Sequence, residues 1–514
     1  MIRYALFLIS LSAGVLAGVP GGKSPNILFI TADDLNWDSV GVYGSPVEDI
    51  SPHIDMLAAR GMRFQHAFVN ASACTPSRNV MQTGHYPHSS GVVGFYSVVF
   101  PEPTLPEALR NAGYFTGIVQ KVPDSTPTND YGRYWNYHDQ LPSEKSRTPA
   151  AYAAAFEAIV QGAENAEKPF YAVINVEDPH LPFFGGPKAE EAGWDRTPPS
   201  RIYQPGEVPI PKFLPQDAAF AQEVADYYST VRRGDDCVGA VIAALAARGL
   251  EATTIIIFLS DHGMSFPFAK SNLYPDSVRI PWIVVWPGVS QPGHLDTEHM
   301  ISAIDFMPTV LEMAGLSVPG SLEGRSLLPL IRGESQEGRD RVFVELNENP
   351  NADVRPARAI YTPDFVYIFN PWSNGERVAV FESRWYRSYA TFARLAKADP
   401  AVAQRFDFLM HRTVEEFYNY RKDPYAMNNL LNDPDYKAVL DDLRDELGAW
   451  MKRTDDYALP AFNSREDPVA LERFMAEEDA MALERSKEIE WKRWRNRSGP
   501  ADEHTRYYDP ATGE

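Results

Sequence analysis

Four apolar, strand-like runs in this chain each lead into charged or metal-ligating residues. Residues 26–30 (Asn-Ile-Leu-Phe-Ile) lead to Asp33-Asp34, and residues 114–119 lead to Lys121. Residues 171–176 lead to Asp178-Pro179-His180, and residues 254–259, the clearest buried strand, lead to Ser260-Asp261-His262. Runs that are apolar throughout, rather than alternating, suit strands covered on both faces. Helical stretches separate them: 52–60 ending at Gly61, 105–112 stopped by Gly113, 150–162, and 218–248 closed by Gly249. A further strand is expected over 282–286. Strands alternating with helices imply an α/β chain with a mainly parallel sheet sandwiched by helices. Such sheets bind ligands beyond the carboxyl ends of their strands. Asp33, Asp34, Lys121, His180, Asp261 and His262 are therefore expected on one edge.

The texture changes near residue 341. Short strand-like pieces over 342–346, 357–361 and 365–369, then a helix over 436–452, predict a smaller C-terminal α+β subdomain over 341–463. The main domain would span 24–340. Residues 464–514 read as a charged, partly helical tail, with a surface helix over 470–494. At the other end, one arginine, an apolar run and small residues around Ala17 read as a signal peptide over 1–17. The mature chain is then expected to be exported, periplasmic or extracellular, and free of the membrane after cleavage. Two cysteines, Cys74 and Cys237, exclude a disulfide framework, although one bond between them is formally open. The formal charge of −21 argues against nucleic acid as a partner. It also gives no long-range attraction for a polyanion, which favours short oligosaccharides or chain ends over long polysulfated chains.

The residues at the shared edge have a chemistry of their own. Adjacent carboxylates repel unless a cation neutralises them. Asp33, Asp34, Asp261 and His262 together suit a divalent, oxygen-preferring cation, Ca²⁺ or Mg²⁺. Lys121 and Lys270 could cradle anionic oxygens as point charges. His180 is the candidate general acid. The stretch Ala73-Cys74-Thr75-Pro76-Ser77-Arg78 reads as a helix start, with Thr75 as N-cap, Pro76 first in the helix and Gly84 as its stop. Cys74 would sit where the helix dipole favours an anion, with the cationic Arg78 one turn on.

Cys-Thr-Pro-Ser-Arg resembles the Cys-x-Pro-Ser-Arg motif of the type I, formylglycine-dependent sulfatases. The opening 26–34, Thr83-Gly84, Pro87-His88, Gly117 to Lys121, Asp178-Pro179-His180, Ser260-Asp261-His262-Gly263 and the late 417–424 with Asn428-Asn429-Leu430 follow in that family's order. Phe266-Pro267, Asn272-Leu273-Tyr274 and the helix 440–450 are most similar to the heparan N-sulfatase (sulfamidase) branch. The resemblance implies an alkaline-phosphatase-like fold and a Ca²⁺ site from Asp33, Asp34, Asp261 and His262 with position 74. It implies that a formylglycine-generating enzyme converts Cys74 to formylglycine, whose hydrate attacks sulfur, steadied by Arg78 and Lys121. His180 would protonate the departing oxygen or nitrogen, and the second hydroxyl of the hydrate would expel sulfate. The expected activity is hydrolysis of a sulfate ester or N-sulfo group on a sulfated mono- or oligosaccharide, heparan-type N-sulfoglucosamine among them. An O-sulfatase acting on another polysaccharide fragment, a phosphatase or phosphonate hydrolase of the same superfamily, and a non-catalytic carbohydrate-binding relative are the alternatives. One position departs from the family: the histidine expected two residues after Lys121 is Pro123. In the family that histidine is thought to help the second hydroxyl lose its proton; here Asp124 or a residue from elsewhere could substitute, or turnover could be slow. Sugar and linkage would be set by loops such as 181–215 and 371–384.

Overall fold

The computed structural model describes residues 24–191, 196–349 and 353–496. The expected signal peptide and the last residues of the tail lie outside these ranges. Eight strands form the main sheet: β1 (Asn26–Ala32), β2 (Met62–Phe68), β3 (Phe115–Val119), β4 (Tyr137–Asp139), β5 (Phe170–Val176), β6 (Thr254–Ser260), β7 (Trp282–Val285) and β8 (His294–Ser302). Their order is β4-β3-β5-β1-β6-β7-β2-β8. The central strands β3, β5, β1 and β6 are mutually parallel and almost wholly buried, as apolar runs without alternation require.

Register shows how the sheet is covered. Phe29 lies level with Val173, and Val173 with Ile118, so these three point to one face. There the Phe29 ring meets Phe306, on helix Phe306–Met313, with centroids 4.2 Å apart. Leu28, Ala172 and Gly117 point to the other face, where the bare Cα of Gly117 lies against Ile159 of helix Pro149–Asn165. That helix packs in turn on the long helix Ala221–Ala247, a single 27-residue rod.

Strand β7 pairs antiparallel with both β6 and β2. The chain between β6 and β7 stays at the carboxyl edge, holding Asp261, His262, Lys270 and the short helix Pro275–Val278. Without a crossover along a face of the sheet, the returning strand has to run the other way. Gly263 lets this segment fold tightly, since a Cβ there would lie 1.8 Å from the Asp276 carbonyl oxygen.

A second sheet, wholly antiparallel, contains β9 (Val342–Asn349), β10 (Asp353–Tyr361), β11 (Val366–Phe369) and β12 (Glu415–Tyr418), ordered β12-β11-β10-β9. Helix Lys437–Arg453 packs on it. Helix Pro468–Asn496 is less of a surface element than expected: it packs against β10, and Leu471, Met475 and Ala482 are buried. Arg377 holds its outer face through Glu472 at 3.0 Å and Asp479 at 2.7 Å. Among the described residues no helix is long and apolar enough to cross a membrane.

Candidate active site

Cys74 opens a ten-residue helix, Cys74–Thr83, every residue of which is buried. The N-cap is Ala73 rather than the expected Thr75, and no side chain caps the helix. The shift has a local cause. The Ala73 carbonyl already accepts the Ser77 N–H at 2.9 Å, while the Thr75 hydroxyl donates to Asp124 Oδ1 at 2.6 Å. Pro76 therefore sits third in the helix. Gly84 ends it at φ 67°, as its lack of a Cβ allows. Both cysteines are free and buried, so the bond between them is not formed.

The carboxyl ends of four adjacent strands surround the Cys74 side chain. β1 supplies Asp33 and Asp34, β3 is followed by Lys121, β5 by His180, and β6 by Asp261 and His262. Cys74 Sγ lies 3.6 Å from Asp33 Oδ1 and 3.3 Å from His262 Nε2. Arg78 reaches across from the helix, its Nε and Nη2 bonding Asp261 Oδ2 at 3.0 and 2.8 Å. Its Nη1 donates to Thr31 Oγ1 at 2.9 Å and Asn175 Oδ1 at 2.7 Å. Lys121 pairs with Asp33 at 2.6 Å, and Lys270 with Asp34 at 2.8 Å.

Three groups were not foreseen from the sequence. Asp178 is gripped by Arg147 and by Arg233, whose Nε is 2.6 Å away, and Arg147 also donates to the His180 carbonyl at 2.9 Å. These bonds fix the turn carrying His180. Asn175 anchors Arg78. Glu382, in the turn Glu382–Trp385, enters the site from the far side and pairs with both Lys270 and His180. Adjacency at a strand end marks Asp33, Asp34, Lys121, His180, Asp261 and His262, and a helix start marks Cys74 and Arg78, but nothing local marks Glu382 (it lies within the loop 371–384 to which specificity was ascribed).

Burial and charge set the protonation states. Burial pushes the Cys74 thiol well up, Asp33 and Asp261 add to this, and a thiol held protonated is a poor nucleophile. Burial would raise Asp33 too, but Lys121, His180 and Arg78 hold it well below the usual carboxylate range. For Asp34 burial prevails over Lys270, and its carboxyl is raised. Burial would lower His180, and so would Lys121 and Lys270, yet Asp34 and Asp33 leave it raised. Glu382 is held well below its ordinary value, against burial, by Lys270 and His180.

The backbone is strained here as well. Asp34, Gln120, Lys121, Phe268 and Ser271 are five of the ten non-glycine residues with left-handed φ among those described, so the strain concentrates on the segments that present the site.

The carboxylates fit a hard divalent cation. Asp33, Asp34, Cys74 and His262 each place one potential ligand atom so that all lie within 4.8 Å of one another. The buried oxygens Asp33 Oδ2 and Asp34 Oδ1 face ammonium groups but receive no well-directed hydrogen bond, which leaves lone pairs for a cation. Asp261 adjoins this group with its oxygens already engaged, Oδ2 by Arg78 and Oδ1 by the Asp34 N–H at 3.2 Å. His85 and His88, at the opposite end of the Cys74 helix, pair with Glu323 and Glu345 and brace that end.

Comparison with known proteins agrees with this geometry. Residues 25–316 match the sulfatase family model, and residues 261–384 match the model of the N-sulphoglucosamine sulphohydrolase C-terminal region. The chain is 28% identical to an ulvan-active sulfatase of Formosa agariphila, over 84% of this chain and 81% of that protein. It is also 28% identical to human N-sulphoglucosamine sulphohydrolase, over 86% of this chain and 93% of that protein. A 2-O glycosaminoglycan sulfatase structure superimposes with a TM-score of 0.64 at 21% identity, covering 84% of this chain and 93% of that one. The fold is thus the alkaline-phosphatase-like one of these neighbours. With its family model spanning more than half its length, the chain belongs to the sulfatase family and is a sulfuric ester hydrolase.

Proposed function

We propose that this protein is an exported, formylglycine-dependent sulfatase acting on short sulfated saccharides or chain ends, with a glucosamine N-sulfo group or sugar O-sulfate as the scissile bond. The placement of Cys74 carries this reading: it opens a buried helix among three carboxylates, three cations and His180. Support for the saccharide comes from the relatives, an ulvan-active sulfatase and an N-sulphoglucosamine sulphohydrolase. A structural neighbour is described in complex with D-glucosamine-2-N,6-O-disulfate as its substrate. Residues 24–340 would form the catalytic domain and 341–463 the subdomain that closes the site.

Oxidised to formylglycine, residue 74 would supply an aldehyde hydrate as nucleophile and, through its second hydroxyl, an exit for sulfate. Asp33, Asp34 and His262, with residue 74 and with Asp261 beside them, would hold a Ca²⁺ or Mg²⁺ ion, which supplies Lewis acidity toward a sulfate oxygen. The rest falls to the side chains. Lys121 and Lys270 leave their resting carboxylate partners to bind the two outer sulfate oxygens. Arg78 stays fixed by Thr31, Asn175 and Asp261, and keeps a positive charge beside residue 74. His180, with Nδ1–H donated to the Leu181 carbonyl at 2.6 Å, presents Nε2–H to the leaving atom.

The test is a mass spectrum of the peptide containing residue 74, from protein co-produced with a formylglycine-generating enzyme, followed by assays on sulfated sugars and paired aryl esters. Formylglycine with sulfate release is expected. An unmodified thiol, with a control substrate converted in the same cells, refutes the mechanism. Faster release of phosphate than of sulfate moves the chain to the phosphatase alternative.

A further inference from the structure

Among the described residues, Glu382 is the one carboxylate near Cys74 that comes from beyond the main sheet; it adjoins the cation-binding group through Asp34, which with His180 and Glu382 places one ligand atom each within 4.8 Å of the others. The chain holds it firmly. Its neighbours Phe381 and Ser383 are buried, and the turn is closed by Arg384 N–H to Phe381 O and Tyr386 N–H to Ser383 O, both at 3.2 Å. Its two oxygens have different partners: Oε1 lies 3.4 Å from His180 Nε2, and Oε2 pairs with Lys270 Nζ. The other ring nitrogen of His180 faces the Leu181 carbonyl, which can only accept, so Nδ1 carries a hydrogen and Nε2, the nitrogen that faces Glu382, is the one that can exchange a proton.

We propose that Glu382 is a positioning residue for proton delivery to the leaving group. At rest its carboxylate faces His180 Nε2–H and so orients the ring, until the leaving atom takes that hydrogen over, and it keeps Lys270 close by until the substrate's sulfate takes the lysine over. This rests on His180 being the general acid, as assigned above. In the step served, an oxygen nucleophile bonds to sulfur while the bond from sulfur to the leaving oxygen or nitrogen breaks. The electron pair goes to the leaving atom, and the proton of His180 Nε2 follows it. The imidazole ends neutral, with Nδ1–H still donated to Leu181. Losing Glu382 should therefore matter in proportion to how much the leaving group needs a proton, which a merely structural role would not do.

The experiment compares wild type, Glu382→Gln, Glu382→Asp and His180→Ala, all as full-length, formylglycine-bearing protein with Ca²⁺. The substrates are 4-nitrophenyl sulfate, whose phenolate leaves unaided, and 4-methoxyphenyl sulfate, which needs the proton. For Glu382→Gln, kcat/KM on the methoxyphenyl ester is expected to fall about 100-fold, the scale of general acid catalysis, with at most about a 5-fold loss on the nitrophenyl ester. Glu382→Asp should regain part of the loss, and adding Glu382→Gln to His180→Ala should cost little more. Inorganic sulfate should inhibit Glu382→Gln more strongly than wild type, because a competing anion has gone from Lys270. Equal losses on the two esters, or losses that multiply with those of His180→Ala, overturn the proposal. A wild type that cleaves aryl phosphates in preference to sulfates refutes the sulfatase reading instead. The same leaving-group comparison on aryl phosphates then decides the role of Glu382.

Discussion

Replacing Arg78 with methionine removes the cation that joins the Cys74 helix to β1, β5 and β6. The guanidinium is 2% exposed and makes two contacts with Asp261, one with Thr31 and one with Asn175, and it stands 3.5 Å from Asp33. Methionine fills much of the volume but leaves Asp261 buried with the Asp34 N–H as its remaining donor on Oδ1. Breaking a buried pair by removing one partner costs about 3–5 kcal/mol. With an unfolding entropy of about 2.1 cal/mol/K per residue, a chain of 514 residues has about 1.1 kcal/mol/K in total. Arg78→Met should then lower Tm by about 3–5 °C in differential scanning fluorimetry. Adding Asp261→Asn removes the stranded charge, so the double variant should be more stable than the sum of the single losses implies, by about 0.5–3 kcal/mol. A Tm unchanged within a degree for Arg78→Met, or additive losses in the double variant, would refute the view that this ion pair ties the helix to the sheet.

Lys270→Ala takes a cation from the proposed sulfate position and from both Asp34 and Glu382, and should cut kcat/KM about 100-fold in a sulfate-release assay. Chelation should abolish activity, and Ca²⁺ or Mg²⁺ at about 100 times its Kd should restore it and raise Tm by about 2–3 °C, from a binding contribution of about 2.7 kcal/mol. His88, remote from the site, gives a pH prediction. Burial would lower its pKa, but Glu345, 2.5 Å away, and Asp456 leave it raised. A histidine whose folded pKa is raised stabilises fully below its unfolded pKa of about 6.5, and the contribution fades as pH rises through the folded value. Thermal scans across pH should show wild type most superior to His88→Gln below pH 6.5, with the gap closing above it; a gap that widens with pH would contradict this.

The parts of this fold legible in the sequence are those where one local rule dominates. β1, β5 and β6 are apolar at nearly every position, and their burial on both faces leaves no other reading. The residues that follow them were legible as a group because a parallel sheet gathers strand ends. β2 (Met-Arg-Phe-Gln-His-Ala-Phe) and β8 (His-Leu-Asp-Thr-Glu-His-Met-Ile-Ser) were not recognised, since they lie at the less covered margin and carry polar residues that weaken the pattern. The helices Arg387–Ala396 and Pro400–His411 are not among the elements expected of the C-terminal region, and β12 has too few residues to register as a strand. The helix cap was misplaced because Thr75 has a partner 49 residues away, in Asp124, that outweighs the local preference. Glu382 was out of reach for a similar reason: its place depends on how the second sheet closes over Lys270, with Tyr361 donating to the Leu273 carbonyl at 2.5 Å and Tyr274 to Glu416 at 2.6 Å.

Those tertiary bonds bear on how an acidic protein captures an anion. A net charge of −21 repels a sulfated chain at long range, and in physiological salt that repulsion is screened beyond about 8 Å. Capture then depends on charges met at the end of the approach. Lys121 and Lys270 stand ready but paired, with Asp33 and with Asp34 and Glu382. An arriving sulfate exchanges one set of ion pairs for another rather than meeting bare cations, so binding energy comes from the difference between two partnered states. If Asp33 and Asp34 held a divalent cation, Lys121 would lose its carboxylate partner and Lys270 one of its two, leaving both lysines more available to the sulfate. Glu382, which adjoins Asp34 and lies 3.4 Å from His180, would remain as the carboxylate beside that ring if the lysines moved to the sulfate. On the mechanism proposed above, the acids around Cys74 would divide by origin: those at the ends of β1 and β6 would prepare the sulfate side, and the one from beyond β11 would serve the leaving group.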